Sequence, residues 1–560
     1  MRRSHTYHFI FIVLLVLCVS CGENIEPIVD PPIIIDEEVP EEFETNPKND
    51  LDTKDAVVIA YHKDAVTVTN PYEGKGVAIT RQGADVVVRS TTTDEITYIL
   101  TGSTMTGSLK MYSDVRFELK MNGVSIVKSD DPALNIQSGK RAVITLVEGT
   151  SNRIAGGKGF VSEGGSEDMK AAFFSEGQLV INGTGSLTAI SRYRHAICSD
   201  DYIRINGGHI LIPLSAQDGI HAKDFIEVND GLLEINSISD GMDTDGYIHL
   251  FGGMVNITTT GKKGHGVKSA AETIVRTTGD IKIDVQGEAS KAFNCGGNMQ
   301  IMQGNIRLTT SGSAFYDTEE SDISSAAGIK CNGNLTISGG DVVITSSGAG
   351  GKGLNGNGLL TISNGTLSIT TTGDEYKYRN DNTKAKAITM NGNLTISGGS
   401  VYVSCKTDHA IGTKGMLTAS GGTAIGITPD ATKKSFDAGK SFKITGGRLI
   451  GIGGTSGSPT TNDCTQYSVQ YSGSITQNAF FHVVSSAGKG VVTYQLPYTS
   501  SKAFVLFSSP NLEKNTNYTI STGGAVTGGT SFHGLYDGAS HTGGTPLATF
   551  TVSSMVTDVK

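Results

Sequence analysis

The chain has 560 residues, 72 of them Gly, only 13 Pro and no Trp, with a formal net charge of −10. That length exceeds one compact core unless the core is elongated by repetition. Abundant Gly without a Gly-X-Y period excludes collagen, and regularly spaced apolar residues exclude a disordered chain.

Arg2 and Arg3 precede an apolar run at 9–17, then Ser20 and Cys21. This is too short for a membrane span and has the layout of a secretory signal, with a lipoprotein-type cleavage site that makes Cys21 the expected lipidated residue. The expectation is an exported outer-membrane lipoprotein, held at the membrane by its N-terminal lipid. Residues 22–52 hold eleven acidic residues and one Lys, with five prolines, and read as a solvated tether. The tether contributes −10 and the signal +2, so residues 53–560 carry about −2 and give no reason to expect nucleic acid. Cys198, Cys295, Cys331, Cys405 and Cys464 are too few and too scattered for a disulfide framework.

Residues 53–178 read as irregular opening strands and a cap. From 179 a strand-Gly-strand unit recurs, as in 179–190 (LVINGTGSLTAI), 225–238 (FIEVNDGLLEINSI), 335–345 (LTISGGDVVIT) and 394–404 (LTISGGSVYVS). The aligned glycines are Gly185, Gly208, Gly231, Gly253, Gly279, Gly304, Gly340, Gly365, Gly399, Gly422 and Gly447. They step by 22 to 26 residues except for steps of 36 and 34, where 316–325 and 374–384 read as protruding loops. Alternation such as Leu-x-Ile turns one side chain inward and the next outward, and the Gly supplies a corner. A third short strand precedes each unit, with Gly or Ala second and an apolar residue third: His195-Ala-Ile-Cys, Asp218-Gly-Ile-His, Asp240-Gly-Met-Asp, His265-Gly-Val-Lys, Lys291-Ala-Phe-Asn.

Three strands per two dozen residues predict an all-β, right-handed parallel β-helix over 53–454, its regular coils from about 170. Eleven coils at ~4.8 Å give a rod of roughly 50 Å. Residues 455–560 lose the period and read as an antiparallel C-terminal β-module that caps the open end.

The runs Asp218-Gly-Ile-His-Ala-Lys-Asp and Asp240-Gly-Met-Asp-Thr-Asp-Gly, with 170–182 (KAAFFSEGQLVIN) and the LTISGG units, resemble the bacterial carbohydrate-binding-domain proteins with a pectate-lyase-like β-helix. The resemblance covers roughly 55–450. It implies secretion, calcium binding and attachment to plant-type polysaccharide such as pectin, polygalacturonate or cellulose.

Equivalent positions in adjacent coils stack, so a column is a spatial cluster. Asp218, Asp240 and Asp243, with Asp245 following, are the candidate Ca²⁺ ligands, because clustered carboxylates repel unless a cation sits among them. The alternative is solvated turn aspartates. Lys268 falls in the column of Asp243. In a calcium-dependent lyase a lysine there takes a proton from a uronate, and otherwise it only bridges the aspartates. His221 lies on the same side; scattered histidines make a weak zinc case. Tyr193, Tyr202, Tyr247, Tyr376 and Tyr378 are the aromatic candidates for sugar contact, and the lysine columns (Lys268, Lys291, Lys330, Lys352, Lys386) favour acidic sugars. Cys295 and Cys331 share a core-facing column and join in a disulfide only if the long loop does not offset the coils. The leading expectation is a non-catalytic polysaccharide-binding protein using Lys268, His221, Tyr376 and Tyr378. A pectate-lyase-type enzyme and a structural adhesin without a sugar ligand are the alternatives.

Overall fold

The computed structural model describes residue 35 and residues 38–160 and 167–560; the signal segment, Cys21 and about half of the acidic stretch lie outside them. The described residues form an all-β parallel solenoid with antiparallel sheets toward the C-terminus, and they contain no α-helix. The third-strand column stacks fourteen strands in parallel register from Asp85–Ser90 to Phe436–Ala438. Parallel stacking thus begins well before residue 170. Two antiparallel hairpins, Ala56–His62 with Ala65–Thr69 and Val77–Gln82 with Asp85–Ser90, close the N-terminal end.

The strand-Gly-strand units supply the other two faces. In some coils one bent strand covers both, as in Phe225–Ser237. In others it breaks at the Gly, as in Leu394–Ile396 and Ser400–Cys405. Nine of the eleven aligned glycines have positive φ, which marks them as corners. At Gly399 (φ +72°) an added Cβ would lie 2.6 Å from the Gly365 carbonyl oxygen, so both the turn and the close coil stacking exclude a side chain. The inward residues of all three faces, such as Ile197, Ile226 and Ile235, join one continuous apolar core.

Cys295 pairs in register with Cys331, so the long insertion between them does not offset the coils; both are buried, free thiols. The two insertions are short antiparallel hairpins, Phe315–Asp317 with Asp322–Ser324 and Tyr376–Tyr378 with Asp381–Thr383.

Two segments cover the face built by the strands that follow the corner Gly. At the N-terminal end, residues 38–48 lie against the solenoid instead of floating as tether. Lys48 and Asn122 exchange hydrogen bonds of 2.9 and 2.8 Å, and Arg153 donates to the Pro40 carbonyl and lies over Phe43. At the other end, outward Ile425 and Ile450 are buried by Val469, Tyr471 and Phe507. His533 stacks on Tyr402 at 3.8 Å there. The last solenoid strand, Phe442–Gly453, also pairs antiparallel with Ser500–Ser508, so the open sheet edge is covered.

Candidate functional site

Coil stacking puts the third-strand corners in line. At corners that begin with Asp or His, this residue's side chain accepts the backbone N–H of the equivalent residue one coil on. Asp240 N–H donates to Asp218 Oδ1 at 2.9 Å and His265 N–H to Asp240 Oδ1 at 2.6 Å. Lys291 N–H donates to His265 Nδ1 at 3.0 Å, and Lys434 N–H to His409 Nδ1 at 3.0 Å. Asp and His therefore recur here partly as acceptors for a corner N–H, a structural role that column alignment alone did not suggest.

On this scaffold Asp218, Asp240 and Asp243 each bring a carboxylate oxygen within 4.8 Å of the others. Asp245 is exposed and stands outside that group. One lysine and two histidines interleave with the carboxylates. Lys268 Nζ lies 3.0 Å from Asp240 Oδ2 and 3.2 Å from Asp243 Oδ1. His221 Nδ1 lies 3.3 Å from both Asp218 Oδ2 and Asp243 Oδ2, and His195 Nδ1 3.1 Å from Asp218 Oδ2.

The electrostatics follow. Burial raises Asp218, but His195 and His221 more than offset it and hold the carboxyl well below the usual range. Burial, together with the charge on Asp218, pushes Asp240 up to about 7 against the pull of Lys268. Burial lowers His221, yet Asp218 and Asp243 bring it up to about 9. For Lys268 the desolvation cost is exceeded by Asp240 and Asp243, which raise it. A lysine so held is a poor proton acceptor.

A second acid-base group, unmarked in the sequence reading, continues the belt toward the N-terminus. Lys170 Nζ lies 2.9 Å from Asp168 and 2.7 Å from Asp200, while Glu167 takes Lys110 at 2.9 Å and Tyr112 at 2.5 Å.

The lysine column is not an exposed strip. Lys352 is 6% exposed and donates to Thr383 Oγ1 (2.8 Å) and the Lys384 carbonyl (2.5 Å), beneath the second hairpin. Lys291 is half-buried beside Ser324 of the first. Tyr376 and Tyr378 serve hairpin packing: Tyr378 stacks on Tyr316 at 4.4 Å, and Tyr376 Oη accepts the Tyr316 N–H at 3.1 Å. Tyr193 packs edge-on against Phe160.

Tyr202 and Tyr247 meet through a residue not singled out in the sequence. Phe225 stacks 4.4 Å from Tyr202 and 4.7 Å from Tyr247, the rings nearly parallel, and His249 and Phe251 extend the row. These rings lie on the outer side of the face where Ile203, Ile226 and Ile248 point into the core, Phe225 and Tyr247 half-buried and Tyr202 buried. Beside them Arg204 pairs with Glu227 at 2.5 Å, and His249 with Glu272 at 3.2 Å. The signal was present as an aromatic one residue before each inward Ile.

In comparisons with known proteins, a family model described as carbohydrate-binding domain-containing protein matches residues 82–375. No curated protein matches. Among solved structures, similarity is found to the polysaccharide lyase-like protein from C. thermocellum (gadolinium derivative), at 16% identity and a TM-score of 0.30, over 62% of this chain and 100% of that one.

Proposed function

Because the chain belongs to the carbohydrate-binding domain-containing family, we propose that it binds a plant-type polysaccharide along the solenoid flank without cleaving it. The observation that carries this reading is the outward row Tyr202–Phe225–Tyr247 with Arg204, Glu227, His249 and Glu272 beside it. Side chains in register from coil to coil meet a polymer with the same chemistry at each step. Ring edges and hydroxyls suit the mixed apolar and polar surface of a sugar, and the planar Arg and carboxylate groups suit its hydroxyls. Lys268, paired with Asp240 and Asp243, supports binding over β-elimination.

Calcium belongs to the same proposal. Asp218, Asp240 and Asp243 would hold it, as hard oxygen donors, and when bound it would supply positive charge beside an acidic sugar. Asp240 is raised first by burial and then by the charges of Asp218 and Asp243, which Lys268 offsets only in part. Lys268 would have to leave its place between Asp240 and Asp243. A lipid at Cys21 would present the solenoid from the outer membrane, exported and facing extracellular polysaccharide.

The test is retention of the full chain on cellulose and on immobilised polygalacturonate, with and without chelator. Retention is expected, and Arg204→Ala combined with Tyr247→Ala should weaken it about tenfold, equivalent to ~1.4 kcal/mol. Loss of retention in chelator would support the calcium part. Retention on neither polymer overturns the binding. Release of unsaturated product that Lys268→Ala abolishes overturns the non-catalytic part.

A further inference from the structure

The carboxylate cluster has an imidazole side that polysaccharide binding leaves unused. His195 and His221, from successive coils, stack with centroids 4.7 Å apart and planes 17° apart, so one ring would turn to bring both Nδ1 lone pairs onto a shared ion. Their Nδ1 atoms lie 3.1 and 3.3 Å from one and the same oxygen, Asp218 Oδ2, and the three donor atoms fall within 4.8 Å of one another. A four-coordinate ion with bonds of ~2.0–2.1 Å sets its ligand atoms ~3.3–3.4 Å apart along the edges of a tetrahedron. Both nitrogen-to-oxygen distances sit close to that edge.

A second observation points the same way. His221 Nδ1 is buried and faces the carboxylate oxygens of Asp218 and Asp243, yet it makes no hydrogen bond. At 3.3 Å from each carboxylate the imidazole supplies the positive charge between them as an ion pair, and a divalent ion bound there would take the place of its proton. Asp218 is only 5% exposed, so its carboxylate is fixed in place, held from behind by the Asp240 N–H. His195 Nδ1 also accepts the Asp218 N–H, but at 3.3 Å, a long bond that an ion could replace.

We propose that His195, Asp218 and His221 form a site for a divalent transition ion of the zinc class, with the fourth position open to water or ligand. Two imidazoles and one carboxylate suit zinc, cobalt or nickel, whereas calcium takes oxygen donors. Asp218 is common to this site and to the carboxylate group, so the two ions would compete for it, and the two imidazoles favour the transition ion over calcium. The inference does not depend on polysaccharide binding.

The test is a Co²⁺ titration of the chelator-treated full chain, followed by visible absorption, in the presence of excess Ca²⁺. About one equivalent is expected, with the absorption of a four-coordinate site, displaced by Zn²⁺ and not by Ca²⁺. His195→Ala and His221→Ala should each weaken binding by about a hundredfold or more, their fold checked by circular dichroism, since loss of even an outer-sphere partner costs tenfold to a hundredfold. Lys268→Ala, which touches only Asp240 and Asp243, should retain the ion. No stoichiometric binding by the wild-type chain, equal displacement by calcium, or unchanged affinity in both histidine variants overturns the site.

Discussion

Lys352 offers the sharpest test of how the inserted hairpins act on the solenoid. Its ammonium is buried under Thr383 and Lys384. Burial, with the charge on Lys386, pushes it down to about 7, against a weaker upward pull from Asp408. Between that value and the ordinary 10.5, the unfolded chain carries a proton that the folded chain has released. Stability therefore rises with pH across this window, and the full penalty is present below about pH 7. At ~1.4 kcal/mol per unit, the penalty at pH 7 is roughly 4–5 kcal/mol, an order-of-magnitude figure. Lys352→Met removes the titrating group and forfeits two hydrogen bonds worth about 1 kcal/mol each. The variant should be more stable by ~2–3 kcal/mol at pH 7, lose ~1.4 kcal/mol of that advantage per pH unit, and fall behind above about pH 9. Because solenoids open in segments, the measurement is hydrogen exchange over residues 347–390, comparing both proteins at each pH. A stability difference that stays constant with pH would mean that Lys352 keeps its proton in the folded state, and the reasoning fails.

Other expectations concern the corners. Asp218→Ala leaves the Asp240 N–H without its acceptor, removes the carboxylate that faces His195 and His221, and should lower stability by about 2–4 kcal/mol, while Asp218→Asn, keeping Oδ1, should lose less. Thermal melts that show equal losses would refute the acceptor role. For Asp240, raised to about 7, the folded chain holds a proton that the unfolded chain gives up near 3.8, so stability falls as pH rises from about 4 to 7. Asp240→Asn should accordingly gain on the wild type over that range and level off above it; melting midpoints from pH 4.5 to 8.5 read this directly. Gly399→Ala should destabilise by more than about 1 kcal/mol, measured in urea, because both its φ and the Gly365 carbonyl oppose a Cβ.

Much of the fold is written in local pattern. The period of the aligned glycines, the Leu-x-Ile alternation and the Gly- or Ala-second corner determine a parallel solenoid, because each is a short-range signal repeated in every coil. Column alignment also brings Asp218, Asp240, Asp243 and Lys268 together correctly, since stacking in register converts sequence period into proximity. What crosses between columns, or comes from outside the repeat, has no such period. The hairpin carrying Tyr376 and Tyr378 buries Lys352 and turns those tyrosines to packing. The acidic segment from Glu38 docks through Pro40 and Phe43, and Ile425 and Ile450 point outward because the C-terminal module covers them. Lys268 is placed between two carboxylates, and His195 beside His221, only once side chains choose rotamers across neighbouring coils. Sequence by itself thus determined the coil and its columns. Tertiary packing decided which of their outward side chains are paired, roofed or open to a ligand, because that depends on non-repeating contacts made far along the chain.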